Sequence, residues 1–141
     1  TCALPIYLDW IGSGNGQLKN PWNLAVNSKD EVYVVDTGNN RIQKFNSEGN
    51  PLSSFGSAGH GNGQFNRPSA IAIDQYDNIY VADEKNNRIQ KFDSSGKFIL
   101  SWGGQGTGEG QFNRPWAIVI NDSGLVFVAD TYNHRIQVFE P

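Results

Sequence analysis

Three aspartates each precede an arginine by five residues, and these are the side chains whose types and spacing most suggest chemistry. A carboxylate and a guanidinium that meet across a short polar turn can form charge-assisted hydrogen bonds, either in catalysis or in a structural role. Because the pair recurs in every unit of the sequence, we interpret it as structural. We expect the aspartate to accept hydrogen bonds from N–H groups of the turn and from the arginine. The pairs are Asp36 with Arg41, Asp83 with Arg88, and Asp130 with Arg135.

Histidine and cysteine, two common metal ligands and catalytic residues, are rare in this sequence. His60 and His134 are the only histidines and lie far apart in the sequence, whereas a catalytic zinc site typically takes about three protein ligands. The single cysteine, Cys2, excludes an internal disulfide and a cysteine-based zinc site. We therefore predict no catalytic residues, no metal site and no cofactor.

Three glycine-rich segments look like phosphate-binding loops. They cover residues 12–16, 59–63 and 106–110. A dinucleotide-binding loop is followed by a helix whose N-terminus holds the phosphate, and no helical periodicity follows any of these segments. We interpret them as connections between structural units.

The composition is that of a folded, weakly acidic chain. Its 141 residues suit one domain, and aromatic residues make up 12% of them, which is enough for a packed core. Lys and Arg number 11 against 14 acidic residues, and the formal net charge of −3 disfavours nucleic acid as a partner. No apolar run is long enough to cross a bilayer, so we predict no membrane association.

A repeat of 47 residues organises the chain, and the Asp–Arg pairs recur at this spacing. In the second unit, apolar or alternating segments are separated by polar turns, which predicts four β-strands over 70–73, 79–82, 88–92 and 97–102. A four-stranded unit of about 45 residues, repeated, is typical of a β-propeller blade. We therefore predict an all-β fold with three four-stranded propeller blades per chain, which is half of a six-bladed ring.

The repeat also predicts the order of the parts. We place the repeats at about residues 11–55, 56–102 and 103–141, with residues 4–10 as an extra outer strand. The first strand of each blade is expected to lie innermost. Those strands cover 24–26, 71–73 and 118–120.

The repeated motifs resemble those of the NHL-repeat family. In the second unit they are Gly-Gln-Phe-Asn-Arg-Pro at 63–68, Ile-Tyr-Val-Ala-Asp at 79–83 and Asn-Asn-Arg-Ile-Gln-Lys-Phe at 86–92. The resemblance covers nearly the whole chain and implies a propeller, usually of six blades around a channel. It implies function only loosely, because members include protein-binding and RNA-binding scaffolds, sensor domains of receptor kinases and an amidating lyase. That lyase uses a metal and clustered histidines, for which this sequence has no matching set.

Side chains that break the threefold pattern are the candidates for ligand binding. Directly after the repeated proline stand Trp22, Ser69 and Trp116, and directly before it stand Arg67 and Arg114 in the second and third units. We expect these residues at one mouth of the channel, where an exposed tryptophan beside an arginine forms a typical binding hot spot. The alternative is that the two tryptophans plug the channel mouth.

These observations favour a binding or scaffold module over an enzyme. A protein or peptide ligand is favoured over RNA, because basic residues are few. The alternative is a metal-dependent hydrolase or lyase that uses the central channel.

Counting strands predicts a homodimer. Residues 4–10 align with the outer strand of the other repeats, and the last repeat lacks that strand. Three blades alone leave apolar faces and strand edges uncovered, whereas propellers close with about four to eight blades. We expect residues 4–10 of each chain to complete the last blade of its partner, giving six blades around a twofold axis, and a trimer of nine blades is less favoured.

Two features of the sequence bear on its origin. It contains no methionine, and it stops directly after an apolar segment, which together predict a piece of a longer repeat array. Residues 1–6 resemble the translation of a sequencing adaptor, which is typical of a metagenomic fragment from an environmental sample.

Overall fold

A computed structural model of the chain describes residues 11–140. Within this range the regular elements are β-strands and three short 3-10 helices, and no helix is long and apolar enough to cross a membrane. The strands are β1 (Pro21–Val26), β2 (Val32–Asp36), β3 (Arg41–Phe45), β4 (Pro51–Phe55), β5 (Pro68–Ile73), β6 (Ile79–Asp83), β7 (Arg88–Phe92), β8 (Phe98–Gly103), β9 (Pro115–Ile120), β10 (Val126–Asp130) and β11 (Arg135–Phe139).

The strands form three separate antiparallel sheets. The first sheet has the order β1-β2-β3-β4 and the second has the order β5-β6-β7-β8. In the third sheet the described strands have the order β11-β10-β9. Each sheet is a meander in which consecutive strands pair, so the predicted all-β fold of propeller blades is confirmed.

The strands of the second sheet begin and end close to the predicted positions. β5 begins two residues earlier than predicted, at Pro68, because a proline without an N–H is tolerated as the first residue of an edge strand. The register shifts between Pro68 and Ala70, so Ser69 is the extra residue of a β-bulge. The polar turn after β6 is a 3-10 helix over Glu84–Asn86, and it ends at Asn87 in the left-handed conformation.

The core lies between the sheets. One cluster joins the first and second sheets and includes Tyr33, Ile71 and Phe92. A second cluster joins the second and third sheets and includes Tyr80 and Val128. The first strands of neighbouring sheets also adjoin, since β5 contacts both β1 and β9. This arrangement places the starts of the three inner strands side by side.

The two outward faces of the stack are apolar and uncovered within residues 11–140. Leu24 in β1 is 61% exposed, whereas its equivalents Ile71 and Ile118 are 4% and 5% exposed. Ile136 in β11 is 63% exposed, whereas its equivalent Ile89 is 0% exposed. The same repeat position is therefore core where a neighbouring sheet covers it and surface where none does.

Candidate binding surface at the start of the inner strands

Each repeated aspartate is the centre of a hydrogen-bond network. Asp83 is buried, and its Oδ2 accepts hydrogen bonds from Arg88 Nε at 2.8 Å, Asn86 Nδ2 at 2.8 Å and Gln90 Nε2 at 3.2 Å. Its Oδ1 accepts a hydrogen bond from the Asn66 N–H at 2.7 Å. The same contacts recur around Asp36 and Asp130.

The structure corrects one part of the predicted role of these aspartates. The Asp–Arg contact is present, but the backbone donor to Asp83 is Asn66 in the preceding link and not the hairpin turn. Two N–H groups of the turn donate to other acceptors. Asn87 N–H donates to the Glu84 carbonyl, and Lys85 N–H donates to the Asn66 carbonyl. The aspartate therefore fixes the link to the sheet.

The repeated glutamine is a structural residue that the sequence reasoning missed. Gln90 is buried, its Nε2 donates to the Gln64 carbonyl at 2.7 Å, and its Oε1 accepts from the Gly63 N–H at 2.9 Å. Its signal in the sequence was the invariant Arg-Ile-Gln of all three repeats. The glycine-rich links are thus held by side chains of the third strand, in agreement with a connecting role.

Burial and hydrogen bonding shift two of these carboxyl pKa values in opposite directions. Burial raises the pKa of Asp83 above its usual 3.8, and this effect outweighs the hydrogen bonds from Asn66, Asn86 and Arg88. Burial also acts to raise the pKa of Asp130, but hydrogen bonds outweigh it there and the pKa lies below 3.8. The difference follows from packing, because within residues 11–140 the second sheet is covered on both faces and the third on one.

The structure brings the two candidate tryptophans into contact. Trp22 and Trp116 are the second residues of β1 and β9. Their ring centroids are 6.1 Å apart with an interplanar angle of 85°, an edge-to-face pair. Both rings remain exposed at the surface. Tyr132, which the sequence reasoning missed, extends the row, with its ring 6.3 Å from that of Trp116.

The two candidate arginines lie over this aromatic row. Arg67 has its guanidinium carbon 4.6 Å from the Trp22 ring centroid, and Arg114 has its own 5.6 Å from the Tyr132 ring centroid. Both arginines have positive φ, at 55° and 54°, a conformation that costs free energy in a residue other than glycine. The backbone N–H of Arg67 donates to Asn40 Oδ1 at 2.8 Å, which helps to hold this conformation.

A buried carboxylate lies beneath the arginines. Glu84 is 0% exposed, and its Oε1 accepts a hydrogen bond from Arg114 Nη1 at 3.1 Å. Its Oε2 lies 3.4 Å from Arg67 Nε but has no hydrogen-bond partner within the described residues. The sequence reasoning missed Glu84, although the other repeats carry Thr37 and Thr131 at this position.

Ser69 is buried beneath the surface and differs in this respect from the exposed candidates Trp22 and Trp116. It is buried, and its hydroxyl donates to the Pro115 carbonyl at 2.9 Å. In the first repeat the equivalent hydrogen bond, to the Pro68 carbonyl, comes from Thr37 Oγ1 at 2.8 Å. Ser69 thus takes over the bond that a threonine makes elsewhere, and Glu84 can occupy the threonine position.

We call the resulting surface the mouth patch. It consists of exposed aromatic and guanidinium groups at the start of the inner strands, with one buried carboxylate beneath them. Its surface residues are Trp22, Arg67, Arg114, Trp116 and Tyr132, and Glu84 is the buried residue. The opposite ends of the inner strands differ in charge, because Asp74, Asp77 and Asp122 line an open cavity of about 330 Å³ there.

Within residues 11–140, neither histidine forms a hydrogen bond with a residue of the mouth patch. His60 Nδ1 lies 2.7 Å from Asn86 Oδ1 at the surface of a glycine-rich link. His134 ends a 3-10 helix in the left-handed conformation, with φ of 54°. Within residues 11–140, no group of three or more His, Cys, Asp or Glu side chains is arranged to hold a metal ion.

Meander sheets whose first strands adjoin define this chain as a set of β-propeller blades. The family model described as NHL repeat matches three segments, at residues 18–45, 65–92 and 112–139. The chain therefore belongs to the NHL-repeat family, which confirms the resemblance seen in the motifs.

Two curated relatives match part of the chain. Protein lin-41 of Caenorhabditis elegans is 45% identical over 42 residues, which are 30% of this chain and 4% of that protein. Protein brain tumor of Drosophila melanogaster is 41% identical over 49 residues, which are 35% of this chain and 5% of that protein. The chain thus spans only a small part of the length of these relatives.

Solved structures share the fold at low sequence identity. A protein of unknown function from Bacteroides thetaiotaomicron has a TM-score of 0.74 at 19% identity, over 94% of this chain and 38% of that one. Virginiamycin B lyase from Staphylococcus aureus has a TM-score of 0.60 at 15% identity, over 88% of this chain and 43% of that one. At these identities the likeness concerns the fold alone.

Proposed function

We propose that the chain is a binding module that takes a protein or peptide segment at the mouth patch. The observation that carries this proposal is the exposed Trp22–Trp116 pair with Arg67 stacked on Trp22. Tryptophan and arginine dominate the binding energy of protein interfaces, and here they contact one another at an exposed surface. The net charge of −3 and the small number of arginines make RNA the less favoured ligand.

The proposed module is a homodimer in which two three-blade halves form a six-bladed propeller. The uncovered apolar faces at Leu24 and Ile136 support this, because each would be covered by the other chain. Residues 4–10, proposed to complete the partner's last blade, lie outside the described residues.

The outer edge of β11 also supports an added strand. Within residues 11–140 this edge has no paired strand, whereas the equivalent β7 pairs with β8. A groove of about 300 Å³ beside it is lined by Leu100, Trp102, Phe139 and Glu140. Trp102 Nε1 is buried there without an acceptor, and an added strand would bring backbone carbonyls to this edge.

A binding screen tests the proposed function. Fluorescein-labelled random peptides and random-sequence RNA are titrated into the purified chain, and every hit is repeated with Trp22→Ala and Trp116→Ala. We expect peptide hits that weaken by at least about tenfold in either variant. Tyr76→Ala is the matched control, because Tyr76 is exposed and lines another open cavity, none of whose lining residues belongs to the mouth patch. Hits that bind both tryptophan variants as tightly as the parent would falsify the site, and a tightly held stoichiometric metal with ester turnover would contradict a pure binding role.

A further inference from the structure

We propose that the mouth patch recognises a carboxylate of its peptide ligand between Arg67 and Arg114, and that buried Glu84 is the positioning residue for both guanidiniums. This inference rests on the proposed function of the patch and names the chemical group that the patch selects.

The second repeat differs from both neighbouring repeats at two positions. The first and third repeats carry tryptophan and threonine where the second carries Ser69 and Glu84. The backbone hydrogen bond of the threonine is retained by Ser69, which donates to the Pro115 carbonyl at 2.9 Å. Blade geometry therefore does not require Glu84. A buried carboxylate costs free energy unless it is paired, so its place under two arginines calls for another role.

The side chains of the mouth patch carry more positive than negative charge. Glu84 supplies one negative charge to two guanidiniums, bonding Arg114 Nη1 at 3.1 Å and lying 3.4 Å from Arg67 Nε. One carboxylate cannot neutralise both, so the patch keeps one net positive charge. That charge lies over aromatic rings, where the lower local dielectric strengthens its interaction with an anion.

The two guanidiniums of the mouth patch have hydrogen-bond donors available for a ligand. A guanidinium has about five N–H donors in a planar fork that matches a carboxylate. Within the described residues, the Arg67 guanidinium makes no hydrogen bond and that of Arg114 makes only the bond to Glu84. Both side chains are partly exposed, so the remaining donors can reach a ligand.

A row of aromatic rings provides an apolar surface beside these donors. The Trp116 ring lies between the two others, 6.1 Å from Trp22 and 6.3 Å from Tyr132. Within the described residues, the cation–π contacts of arginine involve Trp22 and Tyr132, and none involves Trp116. The geometry thus fits a peptide with a carboxylate and a neighbouring aromatic or aliphatic side chain.

A set of defined peptides tests the carboxylate. The probes are fluorescein-labelled Gly-Asp-Gly-Phe-Gly amide, the Asn-containing counterpart, and that counterpart with a free C-terminus. We expect the Asp amide to bind at least about tenfold more tightly than the Asn amide, because charge-assisted hydrogen bonds are lost in the latter. If only the Asn peptide with the free C-terminus binds more tightly than the Asn amide, the result would also support a carboxylate site. The carboxylate would then be that of the chain end. Equal binding of all three peptides would overturn the inference.

Substitution of Glu84 distinguishes its proposed role in positioning the two guanidiniums from its effect on the charge of the patch. Glu84→Thr matches the other repeats and makes the patch more positive, so charge alone would strengthen binding of the Asp amide. Positioning predicts the opposite, a loss of at least about fivefold, with partial recovery in Glu84→Asp. The control Glu109→Ala removes an exposed carboxylate in a glycine-rich link and is expected to leave binding unchanged. Tighter binding by Glu84→Thr would disprove the positioning role.

The failures of the two proposals are distinguishable. Peptide binding that requires Trp22 and Trp116 but ignores the carboxylate overturns this inference and leaves the proposed function standing. Peptide binding that ignores both tryptophans, or binding of RNA alone, contradicts the proposed function and this inference with it.

Discussion

The indole rings of Trp22 and Trp116 meet edge to face, 6.1 Å between centroids, although they belong to the first and third sheets. They meet because the second repeat has the small, buried Ser69 at the equivalent position and no ring between them. The contact therefore reports how the three inner strands are arranged relative to one another.

Loss of either indole should remove an optical signal of this contact. We expect the parent chain to show an exciton couplet in its circular dichroism spectrum from the two coupled rings. Trp22→Phe and Trp116→Phe should each abolish the couplet, whereas Tyr76→Phe should retain it. A couplet that survives in both tryptophan variants would show that the rings are apart in solution.

Removal of a repeated aspartate should lower the stability of the fold. Asp83→Ala leaves Arg88, Asn86, Gln90 and the Asn66 N–H without their shared acceptor, so we expect a loss of about 3–5 kcal/mol in the free energy of unfolding. Urea denaturation measures the loss. Glu109→Ala, at an exposed position, should change stability by less than about 0.5 kcal/mol. Similar values for the two variants would contradict the structural role of the network.

Much of the fold was predictable from the sequence because the same pattern of apolar segments and polar turns occurs in three repeats. Alternating and short apolar segments predicted the strands of the second sheet, and β7 begins and ends at the predicted residues 88 and 92. Because the pattern of apolar residues can be compared across three repeats, a strand whose pattern is ambiguous in one repeat can be assigned from another.

The candidate site was less predictable, for physical reasons that particular residues show. Ser69 was expected at the channel mouth because it directly follows the repeated proline, as Trp22 and Trp116 do, but its hydroxyl donates a hydrogen bond to a carbonyl of the next sheet. Glu84 looked like an ordinary turn residue, and its burial depends on Arg67 and Arg114, the latter from the next repeat. The spacing of residues within one repeat does not predict which side chains will meet between neighbouring sheets.

The two buried aspartates should respond to pH in opposite directions. The pKa of Asp130 is lowered on folding, so its carboxylate contributes stability above about pH 4 that is lost as the pH drops through its lowered value. The stability gap between the parent and Asp130→Asn should therefore shrink from pH 6 to pH 3. The pKa of Asp83 is raised, so the gap for Asp83→Asn should instead shrink as the pH rises above about 4. Urea titrations at several pH values measure both gaps, and parallel trends would contradict the assigned shifts.

Replacing equivalent isoleucines by lysine should have different effects on stability in the second and third sheets. Ile89 is 0% exposed between the second and third sheets, so Ile89→Lys should destabilise the chain by at least about 3 kcal/mol or unfold it. Ile136 lies on the uncovered face, so Ile136→Lys should keep the fold but weaken self-association. Circular dichroism reports the fold and sedimentation velocity reports association. An Ile136→Lys variant that associates as the parent does would show that this face is not an interface.

Sedimentation equilibrium of the 141-residue chain tests the central claim, that two three-blade halves assemble into one propeller. At micromolar concentration we predict a mass of about twice 15.6 kDa, and a shift towards the monomer mass when residues 1–10 are deleted. A stable monomer of 15.6 kDa, or a dimer that is indifferent to the deletion, would contradict the account.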